Sequence, residues 1–249
     1  MKFVPTRLKH AVRMALVKRG WTPPEDVFVT QRHWSMESGL RMLKQIGIAP
    51  NTVVDLGAAE GSWSSMASQI FTDARYLLCE PLPARKDMLS EISQKSGGMF
   101  HFSPIVVGDS KQPLMFDVSG DLDGSGVYGG VTENAVELPQ DTLDNLIDEA
   151  ALPPPYLLKF DTHGYEDNII RGAVKTLETT IAIVMECYLH QVSPTAKPFW
   201  EMCDQLVKVG FRPVYVSDLL ARPYDSTLWQ MDIFFLRSDH PVFMHSSYQ

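Results

Sequence analysis

The sequence predicts a doubly wound α/β protein on a mostly parallel sheet, and three observations carry that prediction. Short, nearly continuous apolar runs recur along the chain, as strands covered on both faces require. Between them lie helical patterns with apolar residues three and four apart. The first apolar run ends in a glycine-rich turn that opens directly into a helical pattern.

The strand candidates, in order, are Thr52–Leu56 (TVVDL), Tyr76–Cys79 (YLLC), Phe102–Val107, Leu157–Phe160 (LLKF) and Ile181–Glu186 (IAIVME). Trp63, Met66, Ala67 and Ile70 repeat at helical spacing after the first. Ile169, Ile170, Ala173, Val174 and Leu177 do the same after the fourth, and Glu166 and Asp167 stand in that helix's first turn, where the macrodipole favours acids. Pro198 opens a last helix through Phe199, Met202, Cys203 and Leu206, and Gly210 stops it. Two further strands, Arg212–Ser217 and Asp232–Leu236, have no helix between them, which suggests an antiparallel pair closing one sheet edge. Residues 119–140 hold five glycines and little periodicity, so a loop excursion is expected there.

At 249 residues, 45% hydrophobic and 21% charged, the chain suits one domain with an appendage. No apolar run approaches the roughly 18 residues of a spanning helix, and no signal-like segment opens the chain. Cys79, Cys187 and Cys203 lack disulfide-framework or zinc-site spacing, so a reducing cytoplasm is the expected location. Six of the 22 basic residues lie in the first twenty positions, which leaves 16 basic against 30 acidic residues in the remainder. An acidic body argues against a nucleic-acid partner, because phosphate contacts need clustered Lys and Arg. Residues 1–45 read as an N-terminal helical extension or cap and 46–249 as the main domain. Within the extension, Leu8, Ala11, Val12, Ala15 and Leu16 form a stripe ending at Gly20. Packing on the acidic body, contact of residues 1–20 with an anionic membrane, and a dimer contact all fit that basic helix. Trp21, Arg32, His33 and Trp34 follow, as an acceptor-side cap or as packing residues.

Val53–Gly61 (VVDLGAAEG) is the most informative segment: Gly57 permits a tight turn, and Gly61 a close approach of helix or ligand. Its Asp-x-Gly-x-x-x-Gly spacing departs from the dinucleotide fingerprint, and Glu60 would put a negative charge where a pyrophosphate sits. A ligand without phosphate suits the turn better. S-adenosylmethionine is one, with a sulfonium and an ammonium that acids favour; a tight turn with no ligand is the plain alternative. Glu80 ends the second strand 19 residues beyond Gly61, about where such sites place the acid that binds ribose hydroxyls. Asp109, in VVGDS, is a candidate for the adenine edge, or ordinary turn chemistry.

In Lys159–Glu166 (KFDTHGYE) the fourth strand ends in an ionisable cluster, at the carboxyl rim where open α/β sheets bind ligands. Asp161 and His163 would face the methyl donor there. Transfer to a hydroxyl needs a base as the C–O bond forms, and imidazole has the best-matched ordinary pKa, although a histidine that merely caps the next helix fits the same pattern. Glu186 ends the fifth strand at the same rim, with His190 four residues on. Asp161 and Glu186, with His163 or His190, could bind a divalent cation such as Mg²⁺ that holds an acceptor alkoxide.

In this order VVDLGAAEGSWS, LLCEPLP, LKFDTHGYEDNIIRGA, MEC and MDIFFLR resemble the FkbM-type family of S-adenosylmethionine-dependent methyltransferases, of the Rossmann-like class I, over about residues 50–237. The resemblance implies a seven-stranded sheet with an antiparallel last strand, and methylation of a hydroxyl on a sugar, glycolipid or secondary metabolite. It implies that the Asp55, Gly57, Ala58 and Gly61 turn and Glu80 hold the donor, and that the Asp161 to Glu166 motif lies at the reaction centre. Two positions depart from it: Ala59, where members often have Asn, and His163, often Glu or Gln, so a histidine base is read from this chain's own chemistry. The expected activity is O-methylation of a small or carrier-linked hydroxylated acceptor. N-methylation, nucleoside-ligand binding on the same fold without catalysis, and dinucleotide oxidoreduction compete with it.

Overall fold

The computed structural model describes residues 34–118, 133 and 135–247. The basic stripe of residues 1–20, with Trp21, Arg32 and His33, lies outside the described residues, as do 119–132 and 134 of the glycine-rich segment. Seven strands form the main sheet: β1 (Thr52–Leu56), β2 (Arg75–Cys79), β3 (Phe100–Ser103), β8 (Tyr156–Phe160), β9 (Thr180–Tyr188), β10 (Phe211–Ala221) and β11 (Leu228–Arg237). Their order across the sheet is β10-β11-β9-β8-β1-β2-β3, and β11 alone runs antiparallel to its neighbours. The chain winds outward from β1 to β3, then returns to β8 on the other side of β1. That reversal is the switch point at which a crevice opens beyond the strand ends.

Alternation along each strand sorts side chains into two cores. Val54, Leu56, Leu158, Phe160, Ile183 and Phe235 face one layer of helices: α4 (Leu143–Glu149), α5 (Glu166–Arg171), α6 (Val174–Glu178) and α7 (Phe199–Lys208). Val53, Tyr76, Leu78, Leu157, Val184 and Phe234 face the other: α1 (Met36–Gln45), α2 (Ser62–Ser68) and α3 (Lys86–Lys95). Helix α1 falls before the division at residue 45, yet its Met36, Leu40 and Leu43 are buried in this second core. Ser35 caps it, and Gly39 lies so close to the Phe234 ring that a Cβ would stand 2.3 Å from it.

Three elements differ from the sequence reading. The expected third strand, Phe102–Val107, is two: β3 pairs with β2, whereas β4 (Val106–Gly108) pairs with β7 (Gln140–Thr142) in a separate parallel ribbon. Pro104 stands between them and cannot donate to a ladder, so pairing ends there. The 119–140 excursion is not loop to its end, because β6 (Ala135–Leu138) pairs antiparallel with β5 (Leu114–Asp117) and β7 begins at Gln140. The long helix expected after β8 breaks at Gly172, whose backbone approaches Gly108 so closely that a Cβ would lie 1.9 Å from the Gly108 carbonyl oxygen.

Candidate active site

A cavity of about 610 Å³ opens at the carboxyl ends of β1, β2, β8 and β9, a size ordinary for a small-molecule site. Leu56, Gly57, Ala59, Glu80, Leu82, Arg85 and Phe116 line one side. Asp161, Thr162, His163, Glu186, Tyr188, Trp229 and Gln230 line the other.

The first side is a backbone device. Gly57 sits at φ +82° and an added Cβ would stand 2.0 Å from the Asp161 carbonyl oxygen, so the position needs glycine twice over. Ala59 follows at φ +50° and Gly61, the N-cap of α2, at φ +76°. The Gly57 and Ala58 amides both donate to the Cys79 carbonyl, at 3.0 and 3.1 Å, which fastens the turn to β2. Glu80 is buried beside it. Its Oε2 accepts from the Ala59 amide (2.9 Å) and its Oε1 from the Leu82 amide (3.0 Å), while the Arg85 guanidinium lies 3.6 Å away. Burial nevertheless pushes the Glu80 carboxyl above its ordinary value.

Asp55, Ala58 and Gly61 lie beneath this surface, not among the lining residues. Asp55 is fully buried and accepts from Ser64 Oγ at 2.6 Å, and burial pushes its carboxyl up to about 6. Its contact is with the start of α2, so it shapes the turn. Asp109 is likewise absent from the lining: Arg171 clasps it through two bonds of 3.1 and 2.9 Å, with Asn168 at 3.3 Å.

On the second side, Asp161, His163 and Glu186 come together. His163 Nε2 lies 3.2 Å from Asp161 Oδ1 and 3.5 Å from Glu186 Oε1. His163 itself holds a left-handed φ of +53°, followed by Gly164 at +110°. The buried Glu166 ties this turn down, accepting from Thr162 Oγ1 and from the Gly164 amide at 3.0 Å each. A non-glycine residue kept in that region by its surroundings is a feature that clusters at functional sites. His190 does not join the cluster; its ring stacks on Trp229 at 5.3 Å.

The charge state of His163 differs from the neutral base expected at neutral pH. Burial opposes protonation, but the carboxylates of Asp161 and Glu186 outweigh it and raise the imidazole to about 10. Burial would likewise raise Asp161, but Lys159 and His163 outweigh it and hold that carboxyl down to about 2. At neutral pH this favours His163 as an imidazolium, within reach of Asp161 and Glu186.

Two of these partners had no role assigned from the sequence. Lys159, buried in the middle of the β8 apolar run, places Nζ 3.3 Å from Asp161 Oδ2 and 3.1 Å from Asp232 Oδ1. Burial works against its charge, yet Asp161, Asp232 and Glu186 outweigh it and hold the ammonium above its ordinary value. Asp232 moves the other way from an ion-paired acid: burial, with Glu186 and Asp161 nearby, outweighs Lys159 and raises it to about 6. Tyr188 and Gln230 were also missed. The Tyr188 hydroxyl donates to Glu186 Oε1 and Gln230 Nε2 to Oε2 at 3.0 Å, so Glu186 is held from two strands. The signal available in the sequence was an isolated charge inside each of the apolar runs LLKF and MDIFFL.

Each of Asp161, His163 and Glu186 offers one ligand atom, and the three atoms lie within 4.8 Å of one another. They could hold a cation if His163 gave up its proton, with the Lys159 ammonium remaining beside Asp161.

The chain is similar to the hexuronic acid methyltransferase AglP of Haloferax volcanii, 22% identical over 149 residues, which cover 60% of this chain and 61% of that protein. It thus spans less than two thirds of that relative's length. Among solved structures, a 1,6-didemethyltoxoflavin N1-methyltransferase of Burkholderia thailandensis is 10% identical with a TM-score of 0.46, over 96% of this chain and 93% of that one. The magnesium protoporphyrin IX methyltransferase of Synechocystis PCC 6803 is 10% identical with a TM-score of 0.45, over 81% and 76%. The methyltransferase FkbM domain itself matches residues 55–213, from the buried aspartate of the glycine turn to the start of β10, and the chain belongs to that family.

Proposed function

We propose that the chain transfers a methyl group from S-adenosylmethionine to a hydroxyl of a sugar, glycolipid or secondary-metabolite acceptor. One observation carries the reading: a single cavity joins the glycine turn and Glu80 to the Asp161, His163 and Glu186 cluster. When bound, S-adenosylmethionine supplies a methyl carbon that an acceptor oxygen displaces from sulfur, which gives a methyl ether and S-adenosylhomocysteine.

The residues present fit that donor. Glu80 Oε1 accepts from the Leu82 amide, and the carboxylate's further lone pairs suit it to a ribose diol at the cavity wall. Asp161 and Glu186, which line the cavity and are held in place beside His163, are the carboxyl groups placed to take the acceptor's proton as the C–O bond forms. His163, protonated at neutral pH, fixes both carboxylates and offsets their repulsion instead of accepting the proton itself. Lys159 fixes the far oxygen of Asp161 from below.

A divalent cation at Asp161, His163 and Glu186 is a second reading, favoured by the spacing of their ligand atoms. It keeps the methyl transfer and excludes only the imidazolium role of His163, because a metal would take the place of the imidazole proton. The test is methyl transfer from labelled S-adenosylmethionine to a panel of hydroxylated and amine acceptors, with and without excess chelator. Product that forms in chelator supports the metal-free route. Loss of product with recovery on added Mg²⁺ supports the second reading. Donor binding without transfer to any acceptor identifies a binding protein, and methylated amines alone an N-methyltransferase.

A further inference from the structure

The donor side of the cavity holds a buried ion pair that the transfer chemistry does not use. Glu80 follows β2 directly, and Pro81 and Pro83 lead the chain at once into a 3₁₀ turn over Pro83–Arg85. The Leu82 amide donates to Glu80 Oε1 at 3.0 Å, and the Leu82 carbonyl accepts from the Arg85 amide at 3.0 Å, so one short turn fixes both residues. Arg85 Nη1 lies 3.6 Å from Glu80 Oε2, the two side chains are only 10% and 5% exposed, and both residues line the cavity. Taking a guanidinium and a carboxylate out of water is costly, and apolar residues of similar volume would hold such a turn as well or better. The pair therefore points to a need for charge at Glu80.

Burial works against that charge. It pushes the Glu80 carboxyl up, while the Leu82 and Ala59 amides and the Arg85 guanidinium pull it back. Of these three donors, Arg85 alone carries a full charge. A hydroxyl donates more strongly to a carboxylate than to a neutral carboxyl group, so a ribose diol is held best while Glu80 stays ionised. We infer that Arg85 is a positioning residue for the donor: it holds Glu80 ionised and fixed at the cavity wall, and so extends S-adenosylmethionine binding to lower pH. The titratable groups that face Glu80 from the neighbouring strands are Asp55 on β1 and Cys79 on β2. Burial pushes the Cys79 thiol far above neutrality, whereas Asp55, raised to about 6, titrates in the same window as Glu80 and has to be separated from it.

The inference rests on the methyltransferase reading and on Glu80 as the ribose acid, and its test separates all three. Calorimetry of S-adenosylhomocysteine binding is run on the full chain between about pH 5.5 and 8.5, for wild type, Arg85→Gln, Arg85→Lys, Glu80→Gln and the double variant Glu80→Gln/Arg85→Gln. An opposite charge this close shifts a carboxyl by about 1–3 pH units, so the loss of affinity in Arg85→Gln should be at least about fivefold larger at the acid end than at the alkaline end. Arg85→Lys restores a cation and should stay within about threefold of wild type throughout. In the Glu80→Gln background, Arg85→Gln should have an effect that does not change with pH; Asp55 titrates in every variant, so this comparison isolates Glu80. A loss in Arg85→Gln that is constant with pH, the same pH-dependent loss in Arg85→Lys, or a pH-dependent effect that survives Glu80→Gln would each overturn the role of Arg85. If Arg85→Gln does not fold, Arg85→Lys decides alone: binding within about threefold of wild type supports the cation, and a greater loss overturns it. Unaltered affinity in Glu80→Gln would instead overturn Glu80 as the ribose acid, and no binding by wild type would overturn the methyltransferase reading.

Discussion

His163 offers a prediction whose magnitude follows directly from the site. Its imidazole moves from 6.5 to about 10 because Asp161 and Glu186 flank Nε2 at 3.2 and 3.5 Å. At about 1.4 kcal/mol per unit, the whole shift corresponds to about 5 kcal/mol, of which about 4 remains at pH 7. For a base whose folded pKa is raised, that stabilisation is complete below pH 6.5 and is lost as pH rises through about 10. His163→Gln removes the charge but keeps an amide donor for one carboxylate, which recovers about 1 kcal/mol. The variant should therefore be about 3 kcal/mol less stable than wild type at pH 7, with most of the gap gone at pH 10.5. Urea unfolding of both proteins at half-unit pH steps measures the difference and cancels groups that titrate in both. A gap that stays constant from pH 6 to 10.5 would refute the imidazolium. The same charge implies turnover that is flat from pH 7 to 9, and a rise through pH 6.5 would point back to an unperturbed imidazole base.

Three further outcomes are expected. Glu186→Gln should lower turnover by about two to four orders of magnitude, since glutamine keeps the shape but cannot accept a proton, and leave donor affinity nearly unchanged by calorimetry. Asp55, raised from 3.8 to about 6, binds its proton more tightly when folded, so its own contribution to stability should fall by about 3 kcal/mol as pH rises through that window. Asp55→Asn should remove that share of the slope in chemical denaturation and leave the share that Asp232 contributes over the same window. Gly57→Ala should cost more than about 2 kcal/mol, because a left-handed alanine costs about 1–2 and its Cβ would collide with the Asp161 carbonyl; thermal melting with and without donor measures both stability and site integrity.

What the sequence made legible follows from where its signals are local. β1, β8 and β9 show as apolar runs because both faces of each are covered, and Asp161, His163 and Glu186 stand out as polar ends of two of those runs. β6 did not show, because Val136 and Glu137 are exposed and leave no apolar period. The break at Gly172 depends on a backbone 64 positions earlier in the chain, at Gly108, and no local pattern encodes it. Lys159 and Asp232 were visible as isolated charges, but their meaning lies in a contact across 73 positions. The charge on His163 was hidden for the same reason: it requires Glu186, delivered by the next strand.

The most direct test of the central claim is calorimetric titration of S-adenosylmethionine into wild type, Glu80→Ala and Glu186→Gln. If one cavity holds the donor at the β1–β2 side and performs the chemistry at the β8–β9 side, wild type binds, Glu80→Ala loses about 1.5–3 kcal/mol of affinity, and Glu186→Gln binds like wild type. No binding by wild type, or full affinity in Glu80→Ala, would contradict it.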